Sequence, residues 1–442
     1  MWADIPNLRH LRAFALVVDH RSISRAVEHI HLSQPAITQA LGKLEERAGT
    51  SLIEHGADGM APTPAGRLFH DRVKRALALL EAGAREALRM ETRRSGGGFA
   101  NFDQLVTVAQ MRALSAMALA GNFSLAAREM GLSQPSIHRA ARDLERLTGL
   151  ELFVATRQGI ELTRAAETLA RNANLALAEL RQGFTEVDEV QGRDSSLIVV
   201  GTMPLAQTQV LPDALNRLAA ENPRTNLRVI AAPYDGLLNR LRNGILDFLI
   251  GALREPPPID DITQEFLFDD ELTVLCRASH PLAGKAVVTR EDLLSFPWVV
   301  PGEDAPAREV FRHHFGAEDI ARMPGGAIEA TQLVLVRGIL AGSDRLTILS
   351  ARQALYELQQ GLLVELPVHI PGGNRRIGLT FRENWRPTAT QARLLEHLRS
   401  IGRAYRAEPT GPGSIAKLNE ERAESSRPRT KLLLSPAHDA AH

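Results

Sequence analysis

A single cysteine, Cys276, occurs among 442 residues. One thiol cannot build an intramolecular disulfide framework, and its scarcity suits a reducing compartment. It lies inside the apolar run ELTVLCRA, which predicts a packing residue rather than a reactive one. An excess of either charge is missing too, since 52 basic side chains face 52 acidic ones. Residues 1–95 hold 14 Lys and Arg against 11 Asp and Glu, and residues 96–192 hold 9 against 11. Bulk electrostatics therefore advertises no polyanionic partner, and a case for nucleic acid has to rest on geometry. Nowhere does an apolar run reach the ~18 residues of a membrane span. The amphipathic opening MWADIPNLRHLRAF lacks the apolar core of a signal peptide. A cytoplasmic chain with no membrane partner is expected. Also missing are a nucleophile elbow, a phosphate loop and a metal-ligand cluster. His29 with His31, and His313 with His314, have no further ligands at useful spacing. No catalytic residue, metal or cofactor is expected, and the chain does not read as an enzyme.

What is present is a repeat. LSQPAI at residues 32–37 returns as LSQPSI at residues 132–137. Laying residues 124–166 on 24–66 without a gap gives fifteen identities in forty-three positions, from Ser24 and Ser124 to Ala65 and Ala165. Such agreement implies a duplicated module. Two copies are too few for a solenoid, which needs at least ~3 repeats to bury a continuous core.

In the first copy Leu8, Leu11, Phe14, Ala15 and Val18 recur at helical spacing. After the turn DHRS, Ser22 or Ser24 can cap a second helix through RAVEHIH. Ser33 then caps a third, where Pro35 is tolerated because first-turn N–H groups have no intrahelical partner. Ile37, Leu41 and Leu44 are assigned inward, and Gln34, Ala36, Thr38, Gln39 and Lys43 outward. The segment TSLIEHGADGMAPTPAG reads as a two-stranded wing. In the second copy Ser133 caps the third helix, Ile137 and Leu144 turn inward, and Gln134, Ser136, His138, Arg139 and Arg142 outward. Polar side chains at the start of a capped helix suit base edges in a major groove, and the helix terminus suits a phosphate. The candidate DNA-binding residues are Ser33, Gln34, Pro35, Thr38, Gln39 and Lys43, with Ser133, Gln134, Pro135, His138, Arg139 and Arg142. The same surface could instead serve a protein-interaction module.

Beyond residue 195 the period changes. LIVVG, LRVIA and DFLIG are short apolar runs that alternate with helical stretches, which predicts parallel strands buried on both faces. Further strands are expected at ELTVLCR, WVVP, LTILS, LLVELP and IGLTF, and a last helix near 388–405. Ligands in open α/β sheets sit off the carboxyl ends of strands. That rule nominates Thr202, Met203, Pro204, Pro233, Tyr234, Thr331 and Gln332 as an effector site suited to a small carboxylate.

SISRAVEHIHLSQPAITQALGKLEERAG with SLIEH and PTPAG resembles the winged helix-turn-helix of LysR-type transcriptional regulators, and NFSLAAREMGLSQPSIHRAARDLERLTGLELFVAT is similar to the same module. The resemblance implies an α/β two-lobed, periplasmic-binding-protein-like effector domain behind the two helix-rich modules. It also implies double-stranded DNA and a small effector as partners, homo-oligomers, and possible contact with RNA polymerase. VGTMPLAQTQVLPDAL and SFPWVVP look most like the branch regulating sugar and protocatechuate-type catabolism, hence a sugar acid or aromatic carboxylate. The expected segments are 1–63 (winged helix), 64–95 (linker helix), 96–163 (second winged helix), 164–192 (second linker helix), 195–405 (effector domain) and 406–442 (disordered tail). Leu68, Val73, Leu77, Leu80 and Leu88 are expected to stripe the first linker helix, and RRSGGGF at 93–99 to break it. Both copies depart from the family's wing, which has an arginine where these have Glu54-His55 and Val154-Ala155. An interaction scaffold with DNA-inactive winged helices and a cytoplasmic solute-binding protein are the alternatives. Unlike outward residues in the two copies predict unlike half-sites.

Overall fold

A computed structural model of the chain describes residues 5–56, 59–90, 102–120, 122–157, 159–193, 196–303 and 305–407. The glycine-rich stretch 93–99 and residues 408–442 of the expected tail lie outside them. Residues 406 and 407 belong to the last helix, so the tail expected from 406 starts two residues too early.

The first module runs α1 (Leu8–His20), α2 (Ile23–Val27), α3 (Gln34–Ala48), β1 (Ile53–Gly56), β2 (Gly59–Pro62) and the long α4 (Pro64–Met90). A short α5 (Phe102–Leu105) precedes the second, which runs α6 (Val108–Ala120), α7 (Phe123–Met130), α8 (Gln134–Thr148), β3 (Phe153–Thr156), β4 (Gly159–Leu162) and α9 (Arg164–Val190). The order of elements is the same in both. Ser33 and Ser133 cap α3 and α8, accepting from the N–H of Ala36 and Ser136. Ser22, not Ser24, caps α2. That helix ends at Val27 rather than His31, and His29 beyond it stacks on His20 with ring centroids 4.3 Å apart.

The long helices α4 and α9 pack against each other, and partner pairs along them run in opposite directions. Phe69 meets Phe184 near one end, Gly83 meets Asn172 further along, and Met90 meets Thr168 at the other. Each has 27 residues, so the pair is ~40 Å long. The leucine stripe expected on α4 is corrected here. Leu68 is exposed, Leu77 and Leu88 are half-buried, and the buried face is Phe69, Arg72, Val73, Ala76, Leu80, Gly83, Ala84 and Ala87. Small residues let the two backbones approach closely. A Cβ on Gly83 would lie 2.5 Å from Asn172 Cβ. Both modules and both long helices share one continuous apolar core.

The remaining elements are β5 (Leu197–Thr202), a 3₁₀ turn (Pro204–Gln207), α10 (Val210–Glu221), β6 (Asn226–Ala231), α11 (Tyr234–Arg242), β7 (Phe248–Ala252), β8 (Ile262–Arg277), α12 (Arg290–Leu294), β9 (Trp298–Val300), α13 (Pro306–Arg322), β10 (Ile328–Glu329), α14 (Leu333–Ala341), β11 (Leu346–Ser350), α15 (Leu355–Gln359), β12 (Leu363–Glu365), β13 (Asn374–Arg382) and α16 (Ala389–Ala407). In space the strands lie β10-β9-β11-β8-β13-β7-β5-β6, with β12 on β8. The group β6-β5-β7 is parallel, as expected, and so is β10-β9-β11. The long β8 and β13 are antiparallel to their neighbours and to each other, so the sheet is mixed rather than parallel throughout. They run between two lobes, each with apolar cores on both faces of its strands. Cys276 is buried in the second lobe, and burial pushes its thiol up to about 12. Among the described residues no helix is long and apolar enough to cross a membrane.

Candidate nucleic-acid interface and effector edge

The polar residues common to both modules hold the fold together. Gln34 bonds through its amide to the Ser24 hydroxyl at 3.0 Å, and Gln134 pairs with Ser124 at 3.2 Å. Glu45 accepts from the N–H groups of Leu52 and Ile53 at 2.8 and 3.2 Å, and Glu145 from those of Leu152 and Phe153 at 3.0 and 3.1 Å. Thr63 and Thr163 each donate to a carbonyl twelve residues back, on Ser51 and Glu151, at 2.9 Å. These bonds fix helix to helix, helix to wing, and wing to linker, so the same side chains recur in both modules.

What remains pointing outward differs. On α3 Thr38, Gln39 and Lys43 are exposed beside Gln34 and Pro35. Thr38 donates back to the Gln34 carbonyl at 3.1 Å, which leaves its methyl and oxygen lone pairs toward solvent. On α8 His138, Arg139, Arg142 and Arg146 line an open groove with Gln134 and Pro135. Arg142 meets Glu145 at 2.6 Å and Arg146 meets Asp143, both on the exposed face. Such exposed pairs are worth only ~0–1 kcal/mol and yield readily to a phosphate or a base. Sequence reasoning grouped the braces Ser33, Gln34, Ser133 and Gln134 with the outward readers. The signal that separates them is identity between the copies. It overlooked Arg146, which the second groove includes.

The wings carry Glu54 and His55 in one module and Val154 and Ala155 in the other, all exposed. The first wing has no arginine to replace the missing one, whereas the second carries an exposed arginine, Arg157, in the turn after β3.

The effector candidates fall into two groups. Thr202 and Ala231 are register partners at the carboxyl ends of β5 and β6, which brings Thr202, Met203 and Pro204 beside Pro233 and Tyr234. Thr202 is buried and donates to the Met203 carbonyl at 3.2 Å, so it caps no helix. Tyr234 is half-buried, and its hydroxyl has no hydrogen-bond partner among the described residues. Burial raises its pKa, Arg254 stacked on the ring at 4.6 Å opposes this, and Asp235 adds to the rise. Thr331 and Gln332 are exposed before α14 at the corresponding edge of the other lobe. Thr331 packs against Gly302, where a Cβ would sit 2.7 Å from its methyl. Among the described residues no hydrogen bond joins the two groups, and none holds three or more His, Cys, Asp and Glu placed for a metal.

A sequence profile described as "Bacterial regulatory helix-turn-helix protein, lysR family" matches residues 8–67 and again 108–167. One described as "LysR substrate binding domain" matches residues 191–402. HTH-type transcriptional regulator GalR of Pseudomonas putida is 32% identical over 398 residues, which is 90% of this chain and 98% of GalR. The chain belongs to the LysR family. This LysR-family chain also matches the regulator PcaQ of Agrobacterium fabrum at 26% identity, over 62% of the chain and 88% of PcaQ. A full-length OxyR variant from Pseudomonas aeruginosa is similar in structure with a TM-score of 0.48 and 22% identity, covering 67% of this chain and 95% of that one. Members of the family are DNA-binding transcriptional regulators with a C-terminal effector-binding domain, not enzymes.

Proposed function

We propose that this chain is a cytoplasmic, sequence-specific transcriptional regulator built by tandem duplication of the winged helix. Its output is set by a small organic anion, a sugar acid or an aromatic carboxylate, held between the lobes. The observation that carries the reading is the pair of Ser-capped helices, α3 and α8, each presenting exposed polar side chains from a module of the family. The GalR alignment supports the duplication, since a match over 398 of 442 residues includes the second module and at least part of the first. Of the candidates argued from the sequence, Thr38, Gln39, Lys43, His138, Arg139 and Arg142 keep the role of readers, and Gln34 and Gln134 take that of braces. Homo-oligomers and contact with RNA polymerase belong to the same proposal.

The test is footprinting on DNA upstream of the chain's own gene. Combining Thr38→Ala and Gln39→Ala with Arg139→Ala and Arg142→Ala should abolish protection, because each lost base contact is worth ~1–3 kcal/mol. Protection that survives all four substitutions would remove these side chains from the interface, and a wild-type chain that protects no DNA would favour the scaffold reading. For the effector, calorimetry with sugar acids and aromatic carboxylates should give binding that Thr331→Ala weakens. Unchanged binding removes Thr331 from the site.

A further inference from the structure

We propose that one chain reads an asymmetric DNA site. The first module takes an A·T-containing half through Thr38 and Gln39, and the second takes a guanine-containing half through Arg139 and Arg142. The proposal rests on the DNA-binding reading above and names the bases that each module recognises.

Three observations lead to it. First, the two modules are already paired within one chain. The buried face of α4 is covered by α9 of the same molecule, in antiparallel sense, and the cores of both modules merge through it. The modules therefore occupy opposite ends of a rod ~40 Å long, which exceeds one turn of B-DNA at ~34 Å. Two half-sites on one face of a duplex fit a single chain, with no second copy needed to supply the other helix.

Second, the residues identical between the modules are the braces, and the exposed positions have diverged. Position for position, Thr38 and Gln39 on α3 stand where His138 and Arg139 stand on α8, and Gly42 stands where Arg142 stands. A symmetric site would require these positions to agree.

Third, the chemistry of the two faces differs in kind. A glutamine amide pairs with adenine N6 and N7, and a threonine methyl packs on the thymine methyl. An arginine fork pairs with guanine O6 and N7, the commonest specific contact in the major groove. Arg139 has no ion-pair partner among the described residues. Among the described residues Arg142 is held only by Glu145, whose other oxygen stays bound to the wing amides when the arginine leaves.

The experiment is selection of binding sites from random duplexes with the full chain, and with two variants. The enriched wild-type site should contain two unlike halves, and native mass spectrometry should find one chain for each pair of halves. The Thr38→Ala, Gln39→Ala variant should lose preference in the A·T half alone. The Arg139→Lys, Arg142→Lys variant keeps its charge and so its salt dependence, but loses the planar fork. It should lose guanine preference in the other half, with affinity for the wild-type site falling about 5- to 150-fold. An inverted repeat occupied by two chains would overturn the proposal, as would a lysine variant whose base preferences are unchanged. If the wild-type chain enriches no sequence at all, the DNA-binding reading fails with it, so the two failures are distinguishable.

Discussion

Gly83 and Gly183 sit where side chains from the opposite long helix arrive. A Cβ on Gly83 would meet Asn172 at 2.5 Å, and one on Gly183 would meet Arg72 and Phe69 at 3.0 and 3.1 Å. Glycine inside a helix ordinarily costs ~0.5–1 kcal/mol relative to alanine. Gly83→Ala at a free helical surface should therefore stabilise. Here overpacking, typically ~1–3 kcal/mol, opposes and should win, because the nearest neighbour is the Cβ of Asn172 rather than a movable side-chain end. Urea unfolding of Gly83→Ala should show net destabilisation. A gain in stability would mean that α4 and α9 are not in close contact. The same scale explains the recurrent Gln34 and Gln134, whose side-chain amides bond to the Ser24 and Ser124 hydroxyls.

The pairing of α4 with α9 depends on a buried charge cluster as well as on small residues. Glu179 bridges Arg72 at 2.8 Å and Arg75 at 2.9 Å, and Arg72 also holds Glu186. Burial alone would raise the Glu179 carboxyl, but hydrogen bonds and attraction from Arg75 and Arg72 outweigh it and hold it below its ordinary value near 4.5. A carboxyl depressed in the folded state adds stability that is fully present above its unfolded value and lost as pH falls through the folded one. Glu179→Gln should thus cost about 3 kcal/mol at pH 7, as for a broken buried pair. The difference from wild type should shrink as the pH drops below about 4.5. A gap constant from pH 7 to pH 3 would show that Glu179 contributes no charge interaction. At this scale the sequence was legible where local signals suffice. Caps, wings and the apolar runs of β5, β6 and β7 announced themselves. It was misleading where partners are distant. The leucines of α4 suggested a face that α9 does not use, because the pairing selects alanine, glycine and a charge-compensated Arg72 instead. The first half of β8 was missed because Asp269 and Asp270 interrupt its pattern. Asp270 is buried there only because Ser350 and Arg375 satisfy it. The dipeptide β10 is too short for any periodicity. The effector edge was legible only as a rule about strand ends, which placed Thr202 there without revealing that its hydroxyl is turned to the backbone.

Several contacts join the helix pair and the first module to the effector domain. Arg72 and Arg75 reach the carbonyls of Arg386 and Asn384, so the turn before α16 rests on the helix pair. Arg193, just after α9, donates to the carbonyls of Ala48 and Gly49 at the end of α3. The nearby Gly192 carbonyl accepts from Arg224 of the first lobe. The α3 helix is thereby tied to the effector domain at its last turn. A Cβ on Gly149, which caps α8, would meet nothing within 4 Å. Arg193→Ala should accelerate amide hydrogen exchange in the last turn of α3, Glu45 to Gly49, and leave the matching turn of α8 unchanged. Equal change in both turns, or in neither, would remove this tie from the account. The covalent tether between α4 and α9 has one more consequence. Two helices on separate chains come apart on dilution, and every such pair obeys mass action. Helices on one chain see each other at an effective concentration set by the connecting segment, whatever the number of molecules present. A cell holding only a few copies of this protein would still hold every one of them with its two modules assembled.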